Sequence, residues 1–367
     1  MIRHRPGILE IDSYVPGDPG SSLRRAARLA SNESPFPPDD RVVAAIRASI
    51  ARANRYPDFE SGELTEALAG RWHLSPDQVS VDSGSSSLLR NIVTACAGPG
   101  TEIVYGWPSF SSYEHSALLA GATPIRVALT PDHRLDLARI LAAINDRTRV
   151  VILCLPNNPT GTTVDHTALE AFMEAVPEDL LIVLDECYRE FVTDPNAASG
   201  PRLLGRFPNV VVIKSLSKSA GLAGLRIGYA LSSPDVGSLL RAVRIPFSVS
   251  TVAQAAALAC LQPAVTAALE SRITATVSER RRMYDTLTGA GIEVVPSQAN
   301  FLFLPHQHSA PEKVRVLAQD GAFVRLAGPR EIRISVGSRR ENDHLLSCIG
   351  PLTVGIRKSS PSESHLT

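Results

Sequence analysis

The most informative stretch of the chain runs from Val210 to Tyr229 and reads VVVIKSLSKSAGLAGLRIGY. It opens with four β-branched residues, typical of a strand that is buried on both faces of a parallel sheet. A run of small residues follows, and Lys218 stands within it, with serines one and three residues before it and Arg226 eight residues after it. A solvated surface lysine fits this apolar, glycine-rich context poorly, in a sequence with only four lysines. We therefore expect a semi-enclosed site, where a lysine has a lowered pKa and can form a Schiff base.

Five similar runs precede this one along the chain, each short and rich in valine, isoleucine and leucine. They are Val79–Val81, Glu102–Tyr105, Pro124–Val127, Val150–Leu155 and Leu180–Leu184. Helical segments with turn residues at their ends lie between the runs, such as Ser86–Ala97, Ser111–Ala120 and Thr167–Val176. A repeated order of strand, helix and strand predicts an α/β domain built on a mostly parallel sheet.

The pattern changes after about residue 234, where the helices and strands are arranged as in a smaller α+β unit. The length agrees, since 367 residues correspond to roughly two domains. We assign residues 41–245 to a large domain and residues 246–356 to a small domain. Residues 1–40, rich in proline and serine, are expected to pack on the small domain, and residues 357–367 to form a disordered tail.

Composition narrows the class of protein. Apolar residues make up 44% and charged residues 20%, as in ordinary globular proteins. Basic and acidic residues balance at 37 each, which argues against a dedicated binder of nucleic acid or anionic membranes. No apolar run reaches the roughly 20 residues of a membrane helix, and residues 1–17 lack the apolar core of a secretory signal. Five scattered cysteines without metal-binding spacing indicate reduced thiols and no metal site, so we expect a cytoplasmic protein.

The residues just after each run are candidates for a site, because ligands bind in open parallel sheets at the carboxyl ends of the strands. After Val79–Val81 comes a Gly/Ser turn that opens a helix, suited to phosphate but also typical of an ordinary helix cap. Residues 156–161, PNNPTG, form a turn that places an asparagine at a later strand end. Asp185 directly follows Leu180–Leu184, where a buried carboxylate needs a cationic partner, unless it caps a helix or forms a structural salt bridge.

Four features therefore follow the predicted strands. They are a helix start suited to phosphate, an asparagine amide, a carboxylate followed by a tyrosine, and a group of two serines, a lysine and an arginine. A ligand with a phosphate, an aldehyde, a phenolic oxygen and a ring nitrogen would engage all of them. The ligand with these four groups is pyridoxal phosphate.

The chain resembles the fold-type I pyridoxal phosphate aminotransferases, in the subgroup of histidinol-phosphate and actinobacterial-type aromatic amino acid aminotransferases. The resemblance runs from about Tyr14 to the last helix, and the segment from Ser215 to Arg226 is its most specific part. It implies a large domain with a mostly parallel seven-stranded sheet, a smaller α+β domain, and a homodimer with a shared active site. Other matching stretches are Leu29–Glu33, Arg55–Asp58, Trp107–Phe110, Asn157–Gly161, Asp185–Tyr188, Ser297–Phe301 and Arg333–Gly337.

The resemblance also implies a role for each candidate site residue. Lys218 is the catalytic residue, which holds the cofactor as a Schiff base and then moves the proton at the substrate Cα. Asp185 keeps the pyridine nitrogen protonated, and Arg333 clamps the substrate carboxylate. Phe110 stacks on the ring, and Tyr56 reaches the phosphate from the partner subunit. The other implied contacts are Asn158 and Tyr188 with the phenolic oxygen; Ser215, Ser217, Arg226 and the N–H groups of Ser85 and Ser86 with the phosphate; and Arg325, Tyr14 and Asn32 with the substrate.

The resemblance leaves the substrate open. The stretches around Trp107 and Ser297 look more like those of the aromatic amino acid enzymes, which favours transfer of an amino group from an aromatic amino acid to 2-oxoglutarate. Histidinol-phosphate transamination in histidine biosynthesis is the alternative, because an arginine at position 333 suits either a carboxylate or a phosphate. A third possibility is another reaction of the same cofactor on an amino acid in a specialised pathway. A ligand-sensing module of a transcription regulator is disfavoured by the zero net charge.

Overall fold

The computed structural model describes residues 26–353, together with Ile8 and Ile11. Tyr14 and the tail predicted at residues 357–367 therefore lie outside the described residues. The strands are β1 (Ala27–Leu29), β2 (Val79–Asp82), β3 (Glu102–Trp107), β4 (Thr123–Ala128), β5 (Thr148–Cys154), β6 (Leu181–Asp185), β7 (Val210–Ser215), β8 (Gly228–Ser232), β9 (Phe301–Leu304), β10 (Ala322–Gly328) and β11 (Glu331–Ser335). The α-helices are α1 (Asp40–Ile50), α2 (Gly62–Trp72), α3 (Ser85–Cys96), α4 (Ser112–Ala120), α5 (Leu137–Ala143), α6 (His166–Ala175), α7 (Pro234–Val243), α8 (Thr251–Cys260), α9 (Pro263–Gly289), α10 (Ala310–Gln319), α11 (Arg339–Ser347) and α12 (Gly350–Thr353).

The larger sheet has seven strands in the order β2-β8-β7-β6-β5-β3-β4. Every neighbouring pair is parallel except those of β8, which runs antiparallel to both β2 and β7. The central strands β6 and β7 are buried along their whole length, as expected for a sheet that is covered on both faces. The predicted fold class is confirmed: it is the α/β fold of the fold-type I enzymes, with a mostly parallel seven-stranded sheet.

The six strands predicted from apolar runs are β2 to β7, and each end lies within two residues of its predicted position. The seventh strand, β8, did not stand out in the sequence. It reads GYALS, with a glycine and a serine at its ends, and follows β7 through the glycine-rich segment 216–227. Its antiparallel direction follows from that segment, which returns the chain to the neighbouring position without a crossover helix.

Helices cover both faces of the large sheet. On one face α3, α4 and α7 bury Leu88, Ile92 and Tyr113, and on the other face α2, α6 and α8 bury Leu64 and Phe172. Burial of a large apolar side chain is worth about 1.5–3 kcal/mol, so these two cores hold the strand ends rigidly. No single helix within residues 26–353 is long and apolar enough to span a membrane; α8 and α9 meet the length and composition criteria only as a pair bent by 79°.

The second sheet has the order β1-β10-β11-β9. The short strand β1 pairs in parallel with β10, with Ala27 opposite Ala322, while β11 runs antiparallel to both β10 and β9. Leu287 of α9, Leu317 of α10 and Leu345 of α11 pack against this sheet. The N-terminal segment thus joins the small sheet through β1, over the part of residues 1–40 that the structure describes.

Candidate active site

Residues from both sheets line one cavity of about 310 Å³. It lies where strands β2, β5, β6 and β7 end, and β10 and β11 of the small sheet contribute two arginines. The predicted residues that the structure brings together here are Asn32, Ser85, Ser86, Phe110, Asn158, Asp185, Tyr188, Ser215, Ser217, Lys218, Arg226, Arg325 and Arg333. The fold therefore assembles in one place residues that are spread over 300 positions of the sequence.

Lys218 follows the end of β7 and is partly buried. Its Nζ donates a hydrogen bond to the carbonyl oxygen of Ser31 at 3.3 Å and lies 5.6 Å from the centre of the Tyr188 ring. Burial lowers the pKa of Lys218 to about 8, and the positive charges of Arg333 and Arg226 act in the same direction. An amine is nucleophilic only when neutral, so this environment prepares Lys218 for covalent chemistry.

Asp185 ends β6 and is only 7% exposed. Its Oδ2 accepts a hydrogen bond from the Tyr113 hydroxyl at 2.7 Å, and its Oδ1 accepts one from the Cys187 N–H at 3.2 Å. No basic side chain in the described part of the chain forms an ion pair with it. Burial of an unpaired carboxylate costs several kcal/mol, so the site suits a ligand that brings a positive charge, such as a protonated pyridine nitrogen.

A second group of donors surrounds the start of α3. The helix begins at Ser85 after Gly84, which has a φ of 86° and, within residues 26–353, no side-chain cap, so the first N–H groups are available to an anion. Arg226 donates to Ser217 Oγ at 3.3 Å, and the Ser217 N–H donates to Ser215 Oγ at 3.2 Å. A Cβ at Gly84 would lie 2.7 Å from Arg226 Nη2, so glycine allows the guanidinium to approach the helix. These donors fit a phosphate.

The small sheet contributes a guanidinium that is already oriented. Arg333 of β11 donates from Nη1 to Asn158 Oδ1 and from Nη2 to the Ala30 carbonyl oxygen, both at 2.7 Å. Asn32 donates from Nδ2 to the Tyr188 hydroxyl at 3.1 Å. Burial raises the pKa of Tyr188, so its hydroxyl stays protonated and can donate to a ligand oxygen. A planar, fixed guanidinium of this kind recognises a carboxylate or a phosphate through two parallel hydrogen bonds.

Two residues that support the site were not among the predicted site residues. The Ser335 hydroxyl donates to Asn32 Oδ1 and accepts from the Asn32 N–H, both at 2.8 Å. Its position two residues after Arg333 places it on the same face of β11, and that alternation could have revealed it. The Tyr113 hydroxyl binds Asp185, but the sequence carries no comparable signal, because the two residues come from different elements.

Tyr56 is the described candidate that the structure leaves outside the cavity. It is 82% exposed. Its ring stacks on Phe247 with 4.6 Å between the ring centres, and Phe59 meets Phe247 edge-on at 5.5 Å. The role implied for Tyr56 is at the phosphate of a partner subunit, so it stays a prediction.

The residues of the cavity fit the polar groups of pyridoxal phosphate. Lys218 offers an amine for the aldehyde, Asp185 a buried carboxylate for the ring nitrogen, and the start of α3 with Arg226 a cradle for the phosphate. These residues stand at the ends of strands in a fold-type I sheet. Fold and site therefore define a pyridoxal phosphate-dependent enzyme of fold type I.

Comparison with known proteins gives the family. Residues 25–349 match aminotransferase class I and II. The aromatic amino acid aminotransferases of Cutibacterium acnes and Thermobifida fusca are each 42% identical, over 330 residues (90% of this chain, 93% of that one) and 353 residues (95% and 98%). The histidinol-phosphate aminotransferase of Sinorhizobium meliloti, solved with pyridoxal-5'-phosphate, has a TM-score of 0.87 at 29% identity over 96% of this chain and 98% of that one. The chain belongs to aminotransferase class I and II and is a transaminase that uses pyridoxal phosphate.

The pKa of Lys218 leads to a prediction for cofactor capture. We expect the cofactor-free protein to capture pyridoxal phosphate faster as the pH rises through about 8 and then at a constant rate, because only the neutral amine attacks an aldehyde. Stopped-flow absorbance measures the midpoint. Arg333→Gln should move the midpoint to higher pH, because the loss of a neighbouring positive charge favours the ammonium form. A wild-type midpoint at the usual value of lysine would contradict this account.

Proposed function

We propose that this enzyme transfers the amino group of an aromatic amino acid to 2-oxoglutarate. The proposal rests on the composition of the cavity wall. Arg333 and Arg325 line this wall together with the apolar side chains of Trp107, Phe110 and Leu326. A guanidinium pairs with a carboxylate, and an apolar, aromatic wall accommodates a phenyl or indole group. The two relatives at 42% identity, both named aromatic amino acid aminotransferase, support the same substrate class. With its two carboxylates, 2-oxoglutarate would use both arginines.

In this proposal each group of side chains in the cavity has its own role in the reaction. When bound, pyridoxal phosphate supplies an electron sink that makes the substrate Cα acidic. Asp185 holds the ring nitrogen in its protonated form, while Asn158 and Tyr188 hold the phenolic oxygen. Lys218, which attaches the cofactor in the resting enzyme, accepts the proton from Cα and returns it, and Arg333 orients the substrate through its carboxylate. The groups that hold the phosphate are Ser215, Ser217, Arg226 and the N–H groups of Ser85 and Ser86.

The enzyme acts as a homodimer with a shared site in this proposal. An exposed apolar patch supports it, formed by Tyr56, Phe59, Ile245 and Phe247, which are 82%, 41%, 60% and 40% exposed. Monomeric proteins rarely leave such contiguous patches uncovered. A second copy that covers this patch would bring Tyr56 to the phosphate of the neighbouring site.

A transamination of histidinol phosphate is the second candidate. The similarity to the histidinol-phosphate aminotransferase of Sinorhizobium meliloti supports it, and Arg325 beside Arg333 would suit a substrate that carries a phosphate and no carboxylate. The identity to that enzyme is 29%, against 42% to the aromatic amino acid enzymes, so we favour the aromatic substrate.

The cytoplasm is the proposed compartment, since all five cysteines are free and reduced thiols persist there.

The test is the visible absorption band of the holoenzyme, titrated separately with L-phenylalanine and with histidinol phosphate. We expect L-phenylalanine to remove the band at a lower concentration, with D-phenylalanine as an inactive control of the same composition. Loss of the band with histidinol phosphate first would assign the enzyme to histidine biosynthesis. Glutamate formed from 2-oxoglutarate, in step with the aromatic oxo acid, separates transamination from other chemistry of the cofactor.

A further inference from the structure

Tyr113 is a fully buried residue of α4, and its hydroxyl is directed at the active site from behind the cavity wall. It is 0% exposed, and its hydroxyl donates to Asp185 Oδ2 at 2.7 Å. The other carboxylate oxygen of Asp185 accepts the Cys187 N–H at 3.2 Å. One donor on each oxygen fixes the plane of the carboxylate, and both donors are neutral.

The aromatic ring of Tyr113 has a second contact with the site. It meets Phe110, which lines the cavity, edge-on at 5.7 Å and 88°, and it meets Tyr105 on another side at 5.9 Å and 66°. Burial raises the pKa of Tyr113, and the charge of Asp185 acts in the same direction. The hydroxyl therefore keeps its proton near neutral pH and acts as a donor to Asp185.

We propose that Tyr113 is a positioning residue that holds the Asp185 carboxylate in the orientation required to bind the ring nitrogen of the cofactor. The proposal rests on the role assigned to Asp185 above. Without the tyrosine hydroxyl, Asp185 keeps a single donor, so its carboxylate can rotate about χ2 and loses its alignment with the ring. Tyr113 does not line the cavity, so in this proposal it acts through Asp185 and Phe110, which do.

The test compares Tyr113→Phe with Tyr105→Phe. Tyr113→Phe removes one hydroxyl and keeps the ring between its two aromatic neighbours. A hydrogen bond to a charged group of this kind is worth roughly a tenfold factor or more, so we expect the dissociation constant of pyridoxal phosphate to rise about tenfold. We expect kcat to fall by a similar factor, with KM unchanged within about twofold. Tyr105 is equally buried in the same cluster, but its charged neighbours are Glu114 and Arg126, so Tyr105→Phe should leave both constants at the wild-type values.

A double-mutant cycle with Asp185→Asn decides whether Tyr113 acts through Asp185. Cofactor affinity is the readout, so the cycle is independent of the substrate proposed above. We expect Tyr113→Phe to add little once Asp185 is asparagine. An equal loss of affinity in both backgrounds would overturn the proposal, and so would wild-type affinity and kcat in the single variant Tyr113→Phe. Unchanged affinity in Asp185→Asn alone would overturn it as well, by removing the role of Asp185 on which it depends.

Discussion

Lys218→Ala is expected to lose transamination by about 10⁴-fold, the largest effect of any single substitution in this chain. The variant lacks both the amine that attaches the cofactor and the base that moves the Cα proton. The only described lysine nearby, Lys214, cannot replace it, because it is 3% exposed and its Nζ pairs with Glu186 at 2.9 Å. The measurement is the single-turnover loss of the visible band with L-phenylalanine. Borohydride reduction of the wild-type holoenzyme, followed by tandem mass spectrometry, should place the cofactor on Lys218, and a label on Lys214 would contradict the assignment.

Mixed dimers extend this experiment to the proposed shared site. Lys218→Ala subunits are combined with Tyr56→Phe subunits by unfolding and refolding the mixture. One site of each mixed dimer then contains an intact lysine from one copy and an intact tyrosine from the other. We expect the activity of the mixture to exceed the sum of the two parent variants. No gain, with mixed dimers shown to be present by native mass spectrometry, would count against a contribution of Tyr56 across the interface.

Arg333→Lys is expected to reduce kcat/KM for L-phenylalanine by about 100-fold, because the bidentate charge pair of a half-buried guanidinium is replaced by a single-point contact. The matched control is Arg325→Lys. The two arginines lie opposite each other on β10 and β11 and line the same cavity, and hydrogen bonds to Asn158 and Ala30 hold Arg333 in place. We expect Arg325→Lys to lose less than about tenfold with the same substrate, since the proposed function assigns the carboxylate of this substrate to Arg333.

A substrate without a carboxylate tests whether Arg333 acts by binding the substrate carboxylate or by holding Asn158 in place. With 2-phenylethylamine in place of L-phenylalanine, the wild-type enzyme and Arg333→Lys should react at similar, slow rates. An equally large loss with the amine would show that Arg333 matters through Asn158 and not through the carboxylate. This outcome would redirect the assignment of the substrate clamp to Arg325.

Much of the site could be predicted from the sequence because its residues follow apolar runs directly. Asp185 is the last residue of β6, while Asn158 and Lys218 follow the ends of β5 and β7 closely. These strands are recognisable from composition, and parallel strands bring their carboxyl ends to one edge. Arg333 was implied by the family resemblance, and its alternation with isoleucines in β11 agrees with a side chain on the face opposite the packed one.

The parts that could not be predicted depend on contacts between elements that are distant in sequence. Tyr113 reaches Asp185 across 72 residues, through the packing of α4 on the large sheet, and its own surroundings in the sequence resemble any helix start. The direction of β8 depends on a connection that contains one short 3-10 helix, Ala223–Leu225, and no α-helix that crosses over the sheet. The role implied for Tyr56 depends on contact with a second copy of the chain, and a single sequence does not show where two copies meet.

The pairing of β1 with β10 ties the substrate wall to the N-terminal segment. Asn32 and Ala30, which follow β1, bind Ser335 and Arg333, which lie 303 residues later in the sequence. Residues that fit the cofactor, such as Asp185 and Ser215, stand instead on strands of the large sheet. Loss of the β1–β10 pairing would therefore remove a support of Arg333 while these residues of the large sheet keep their places.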